Sequence, residues 1–211
     1  MQNRLLGIFR FLVLALVVVG CGKIDLFSDS PKETPTQALA REQNATADTL
    51  DTEVGIKTTS LPLTERATQL EAATLSRFYF EGDFLNTLDT LEQLYEIKPS
   101  AEGILARTTV LEKRCGLTMN AAESVKTRIN ALVLYFNRLP ESTKVGHRLS
   151  RLTRFVRRLE AMEKIAYGKL GTGKFTDRLT NLENDFGVKV DPKPPITDRF
   201  EQLEAAIQPM K

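Results

Sequence analysis

The sequence predicts an all-α chain: a helical repeat or hairpin array of short antiparallel helices that follows a disordered N-terminal tether. Three observations carry this. From Leu61 onward apolar residues recur at three- and four-residue spacing, and no strand pattern of useful length interrupts them. Glycines and prolines cut that pattern into short pieces. A six-residue core, Arg, three residues, an aliphatic, then Glu, also returns at a near-constant interval.

The chain starts with two arginines (Arg4, Arg10), an apolar run from Phe11 to Val19, Gly20 and then Cys21. A basic start, an apolar centre and a small residue before a cleavage point are the layout of a secretory signal peptide, here residues 1–20. The apolar run is too short to span a bilayer, which takes about 20 apolar residues. Extending it back to Leu5 would bury Arg10 in hydrocarbon. The ending Val18-Val19-Gly20-Cys21 resembles the lipobox of bacterial lipoproteins. That resemblance implies cleavage before Cys21 and lipidation of Cys21 by fatty acyl chains, palmitate among them, which hold the protein to a membrane in the cell envelope. Gly22, where Asp would mark inner-membrane retention in that family, points to the outer membrane of a two-membrane host.

Residues 21–60 read as the lipidated cysteine and a disordered acidic tether. Between 24 and 60 stand seven acids against three bases and few large apolar side chains, too little to offset ordering entropy. Only a transient helix near Gln37–Gln43 is expected.

The helical repeat domain is expected over 61–211. Its helices run from Thr64 as cap to about Phe80, from Phe84 to Tyr95, and from Ser100 as cap to Cys115, where Gly116 is a left-handed stop. Val125, Ile129, Leu132, Phe136 and Leu139 then form a four-three seam, and so do Val145, Leu149, Leu152, Val156 and Leu159. With Pro140 and a Ser142 cap between them, these seams predict a coiled-coil-like central hairpin over about 119–168. Shorter helices capped by Asp177 and, through a capping box with Glu201, by Asp198 complete the chain.

The six-residue core stands at Arg66–Glu71, Arg107–Glu112, Arg158–Glu163, Arg178–Glu183 and Arg199–Glu204. Degenerate copies start at Thr87, Arg128 and Arg148, and successive starts are 20 or 21 residues apart except for the step from 148 to 158. The residue after Arg and the aliphatic four after it lie one turn apart and are expected to face the core, with Glu on the flank. The pattern is similar to bacterial envelope proteins with repeated Arg-Leu-x-x-Leu-Glu units and aromatic-Gly ends, here Tyr167-Gly168 and Phe186-Gly187. That resemblance brings no activity with it.

Composition excludes several functions. Without the signal, 27 basic residues balance 27 acidic ones, so nucleic acid is not indicated as a partner. With Cys21 acylated, Cys115 is left without a disulfide partner and reads as a small buried hydrophobe at a helix end. Gly168 to Lys174 mimics a phosphate-binding loop, but Phe175 stands where that loop needs Ser or Thr and a helix precedes it instead of a strand. His147 is the only histidine, which excludes a multi-histidine metal site, and no Ser or Cys motif accompanies it. No catalytic, cofactor or metal residue is expected.

What remains is a basic stretch over 144–178, in which Arg151, Arg154, Arg157 and Arg158 fan over one arc of a helix. That arc is the candidate contact for an anionic partner: anionic lipid, cell-wall polymer or an acidic envelope protein. The sequence thus reads as a membrane-anchored envelope lipoprotein serving as a non-catalytic scaffold or adaptor. The alternatives are a small envelope enzyme without a recognisable motif and a binding module for cell-wall polymer or lipid.

Overall fold

The structure, a computed structural model, describes residues 33–75, 84–98, 102–118, 122–189 and 196–208. The signal segment, Cys21, the start of the expected tether and Ser100 lie outside them. Among the described residues the regular elements are helices: α1 (Pro35–Val54), α2 (Leu63–Thr74), α3 (Phe84–Leu94), α4 (Ile104–Arg114), α5 (Val125–Asn137), α6 (Glu141–Tyr167), α7 (Phe175–Asp185) and α8 (Ile196–Ile207). The chain is the all-α array of short helices that its periodicity predicts.

The expected tether is folded from Thr34 onward. Thr34 and Gln37 form a capping box, and Pro35 opens α1 at a position where a missing N–H costs nothing. The segment is poor in large apolar residues, yet those it has fall on one stripe: Ala47, Leu50 and Val54 are buried, with Gln43 and Asp51 beside them. Composition therefore understated the helix, because a stripe needs only one apolar residue per turn when two neighbours cover it. Those neighbours are α2 and α6. At Gly146 the helices come so close that an added Cβ would lie 3.1 Å from Gln43 Nε2. That amide donates to the Ser142 carbonyl at 2.8 Å.

Two apolar clusters organise the rest. The larger holds Leu50, Leu70, Leu149, Leu152, Leu159, Phe175, Leu182, Phe200 and Leu203, from α1, α2, α6, α7 and α8. The smaller holds Leu88, Leu91, Leu94, Leu111, Ile129, Leu132 and Phe136, from α3, α4 and α5. Both repeat positions expected to face inward do so. Ala67 with Leu70, Leu88 with Leu91, Ile129 with Leu132, and Leu179 with Leu182 are buried pairs of this kind. Each fully buried Leu contributes about 1.5–3 kcal/mol.

The central hairpin does not form. α5 packs on α3 and α4, whereas α6 packs on α1, α2, α3, α7 and α8. A four-three seam shows that a face is apolar; it does not name the face that covers it. The seam of α5 closes the small cluster and that of α6 centres the large one. Near the turn the two helices do touch: the His147 ring lies 6.2 Å from that of Phe136, and Lys144 donates to the Asn137 carbonyl.

Helix starts also differ from the hydroxyl and carboxylate caps expected. Pro62 and Pro140 occupy the N-cap positions of α2 and α6, their fixed φ setting the extended entry. Gly103 precedes α4, Lys174 precedes α7, and α8 begins at Ile196, ahead of Asp198. Helix α2 ends at Thr74, where Leu75 turns extended, and residues 76–80 of the helix expected there lie outside the described residues.

Helix ends repeat one device. The amides of Ile56, Ile97, Leu117 and Val188 donate to the carbonyls of Asp51, Glu92, Glu112 and Glu183, five residues back. Between them a residue with positive φ turns the chain: Gly55, Glu96, Gly116 and Gly187. The repeat is thus longer than six residues: its acid is followed four residues on by the left-handed position and then by an apolar residue.

Candidate functional site

The repeat's arginines and acids pair with one another. Arg107 holds Glu92, with Nε to Oε1 at 3.0 Å and Nη2 to Oε2 at 2.6 Å. Arg128 holds Glu112 in the same fork, at 2.7 and 2.5 Å. Arg178 holds Glu163 at 2.9 and 2.6 Å, and Arg199 holds Glu183 at 2.7 Å on both arms. In each case the arginine of one unit takes the acid of the helix before it. Arg66 does the same with Asp51 of α1, at 3.0 Å, and adds Asp48 and Asn44. The acids expected on the flank are therefore buried: Glu71, Glu92, Glu163 and Glu183 are each 1 % exposed.

Such pairs discriminate more than they stabilise. Taking both charges from water costs nearly what their attraction returns, yet stranding one costs about 3–5 kcal/mol. A unit that meets the wrong neighbour strands both partners. The hydrogen bonds to Glu92, Glu112 and Glu163 also hold the guanidinium groups of Arg107, Arg128 and Arg178 more firmly protonated than usual.

The exceptions obey the same rule. Thr87 stands where α3 would carry the arginine, and Val133 where α5 would carry the acid. The trio α3–α5 thus offers neither group to α2 or α6. Instead Arg148 of α6 reaches Glu71 of α2 across 77 residues of chain, with Nε and Nη2 at 2.9 and 2.6 Å from one oxygen, Oε2. The short step from 148 to 158 is one long helix carrying two units. Its first half takes Glu71; its second half offers Glu163 to α7, while Arg158 takes Glu204 of α8 at 2.6 and 2.9 Å.

The four arginines assigned to an anionic partner do not form one solvated arc. Arg151 is 6 % exposed; its Nε donates to Gln93 at 2.8 Å, and its buried Nη1 has no partner. Arg154 bonds Glu96 at 2.8 Å and also donates to the Gln93 carbonyl at the end of α3. Arg158 is committed to Glu204 and lies over the Phe200 ring. Arg157 alone of the four points mainly to solvent, pairing with Glu160 at 2.8 Å. Sequence spacing placed the four on one helix correctly but did not show that α3 and α8 flank it.

Arg151, Arg154 and Arg158 nevertheless meet in one place. They line a cleft of about 590 Å³ with Phe155, facing Gln93, Glu96, Ile97 and Lys98 of the α3 end and Thr197, Glu201 and Glu204 of α8. This cleft lies where the small cluster meets the large one. Burial pushes Arg151 down to about 10, against the partial compensation of Glu71, and burial also lowers Arg154. Glu96 is held below the usual carboxylate range by the Ser150 hydroxyl, with Arg154 adding to it.

The other residues weighed from sequence have structural places. Nδ1 of His147 lies 2.9 Å from the Leu94 carbonyl, so it carries the proton and donates. Burial lowers the pKa of His147. Cys115 is a buried free thiol, pushed up by burial and set beside Tyr95, which suits the small core residue expected. In the glycine-rich loop, a Cβ on Gly171 would run into the Glu163 carboxylate. That loop therefore covers the Glu163–Arg178 pair, and Phe175 after it is fully buried. Among the described residues no cluster of three His, Cys, Asp or Glu could hold a metal, and no helix is long and apolar enough to cross a membrane.

No family model, no curated protein and no solved structure matches this chain.

Proposed function

We propose that the protein is an exported, lipid-anchored scaffold or adaptor of the cell envelope that works without catalysis. The observation that carries this reading is the use of the repeat: its arginines and acids join one helix to the next, so the recurring pattern builds a support for partners. The lipobox-like Val18-Val19-Gly20-Cys21 adds the address, with acyl chains on Cys21 as the membrane attachment and the outer membrane as the destination in a two-membrane host. Two acyl chains or more make such attachment stable. The partner is read as an envelope protein, because the arginines offered to lipid or cell-wall polymer are mostly engaged internally.

Acyl labelling of wild type and Cys21→Ser tests the address. Label on the wild type alone, with unprocessed precursor accumulating in the variant, is expected; label that persists in the variant contradicts it. Crosslinking from intact membranes tests the role. A stoichiometric protein partner retained by the anchored chain is the expected result, and a chain that crosslinks only to lipid or glycan contradicts the adaptor reading.

A further inference from the structure

We propose that the cleft between the end of α3, the middle of α6 and the start of α8 binds the carboxylate of a small amphipathic acid on Arg151. The inference does not depend on lipidation or on the scaffold role.

Charge accounting selects the group. Arg154 and Arg158 line the cleft but are committed to Glu96 and Glu204. Arg151 has no carboxylate partner: its Nε rests on the neutral Gln93 amide and its Nη1 lacks any acceptor. The nearby Glu71 is held by Arg148 through Oε2, and its own Oε1 is left without a donor. A buried guanidinium with an unfilled donor, its charge only partly offset by Glu71, is costly, and an entering anion relieves that cost.

The remaining walls define the ligand further. Phe155, buried beneath Arg151 at 5.7 Å from its guanidinium, and the half-buried Ile97 give an apolar surface for a short tail. Thr197 places the start of α8 at the rim, where helix amides favour an anion. Glu96, Glu201 and Glu204 would repel a dianion, so one carboxylate fits better than a phosphate. The volume suits a molecule of modest size. Such a carboxylate can come from a free acid or from the C-terminus of a peptide.

Backbone geometry singles out the same place. Glu96 occupies the left-handed position that Gly55, Gly116 and Gly187 fill elsewhere, with φ of 57°. A non-glycine residue there is strained, and its carboxylate is spent on Ser150 and Arg154 at the cleft wall.

The test follows the arginine Nε–H signals of the full mature chain by nuclear magnetic resonance while butyrate, n-butanol or inorganic phosphate is added. Butyrate is expected to move the Arg151 signal saturably, and n-butanol and phosphate are not. Arg151→Gln is expected to weaken butyrate about tenfold or more. Because that change touches a buried group, the exposed Glu201→Gln is the second arm. It should tighten butyrate about two- to fivefold by removing a repelling charge. A capped tripeptide with a free C-terminus, compared with its amide, separates the two sources: preference for the acid over butyrate assigns a peptide end, and equal or weaker binding assigns a free acid. Equal effects of butyrate and n-butanol, binding of phosphate alone, or no response in wild type and Glu201→Gln would overturn the proposal.

Discussion

The two halves of the molecule use the same staple in different ways. Within α3–α5 the pairs Arg107–Glu92 and Arg128–Glu112 join helices adjacent in sequence, with both guanidinium arms on separate oxygens. The larger body is interrupted by that trio, and its halves are rejoined by Arg148 and Glu71, where Nε and Nη2 both fall on Oε2 and Oε1 accepts no hydrogen bond. The local staples close short loops and the distant one closes a long loop. Closing the long loop costs more entropy, so that contact is expected to form after the local ones. The trio is thus an insertion with its own core, and the halves of the larger body are rejoined by the buried Arg148–Glu71 pair, with the longer Arg178–Glu53 contact at 3.4 Å also crossing the insertion.

The sharpest way to break the comparison is to strand one arginine in each half. Glu71→Ala and Glu112→Ala should each cost about 3–5 kcal/mol. Their reach should differ. Hydrogen exchange in Glu112→Ala should rise over α4 and α5 while α7 and α8 stay protected, whereas Glu71→Ala should expose α1, α2 and α6 together. Uniform loss of protection in both would mean that the halves are one cooperative unit.

A smaller effect is expected where the backbone crowds a staple. Gly171→Ala forces the Glu163 carboxylate away from its place against Arg178, which should cost about 1–3 kcal/mol by overpacking. Gly103→Ala, with open space around it, should cost less in the same thermal melts, about 0.5–1 kcal/mol, from the poorer N-cap of α4 alone.

The contact between the halves should respond to pH. Burial lowers the pKa of His147 in the fold, so the unfolded chain binds its proton first as pH falls. Stability from this site is complete above about pH 6.5 and declines below it. The imidazolium would meet Arg154 and Arg114, with Glu96 opposing them. His147→Gln should flatten the melting curve against pH between neutrality and about pH 5. Glu96, also lowered, acts in the same direction but only below the usual carboxylate range. An unchanged slope in the variant would remove His147 from the junction.

The smallest effect is expected at Glu96→Gly. Relief of the left-handed backbone offsets the loss of the Ser150 and Arg154 bonds, leaving a change within about 1 kcal/mol by denaturant midpoint.

Much of this was legible in the sequence, though unevenly. The inward positions of the repeat were readable because helical spacing fixes which residues share a face. The pairing was not, because a motif names its charges without naming their neighbours. Helix α1 was hidden by its Thr, Asp and Asn content, but a signal for it exists: Thr46-Ala47-Asp48-Thr49-Leu50-Asp51 starts 20 residues before Arg66 and ends in Gly55-Ile56, as later units end in Gly116-Leu117 and Gly187-Val188. The hairpin failed for the converse reason, since α5 and α6 each have an apolar seam but belong to different clusters. Of the candidate site, the basic helix was visible; the cleft was not, since it needs α3 and α8 as its other walls.

The central claim is that charge pairing, not sequence adjacency, decides which units meet. A double-mutant cycle on Arg148 and Glu71, using alanine at both positions and denaturant unfolding, tests it most directly. A coupling energy of about 1.5–3 kcal/mol, with the double variant far less damaged than the two single losses added, is the result expected for a buried charged hydrogen-bonded pair. Single losses below about 1 kcal/mol that simply add, as for an exposed ion pair, would show that apolar packing alone selects the partner and would contradict the account.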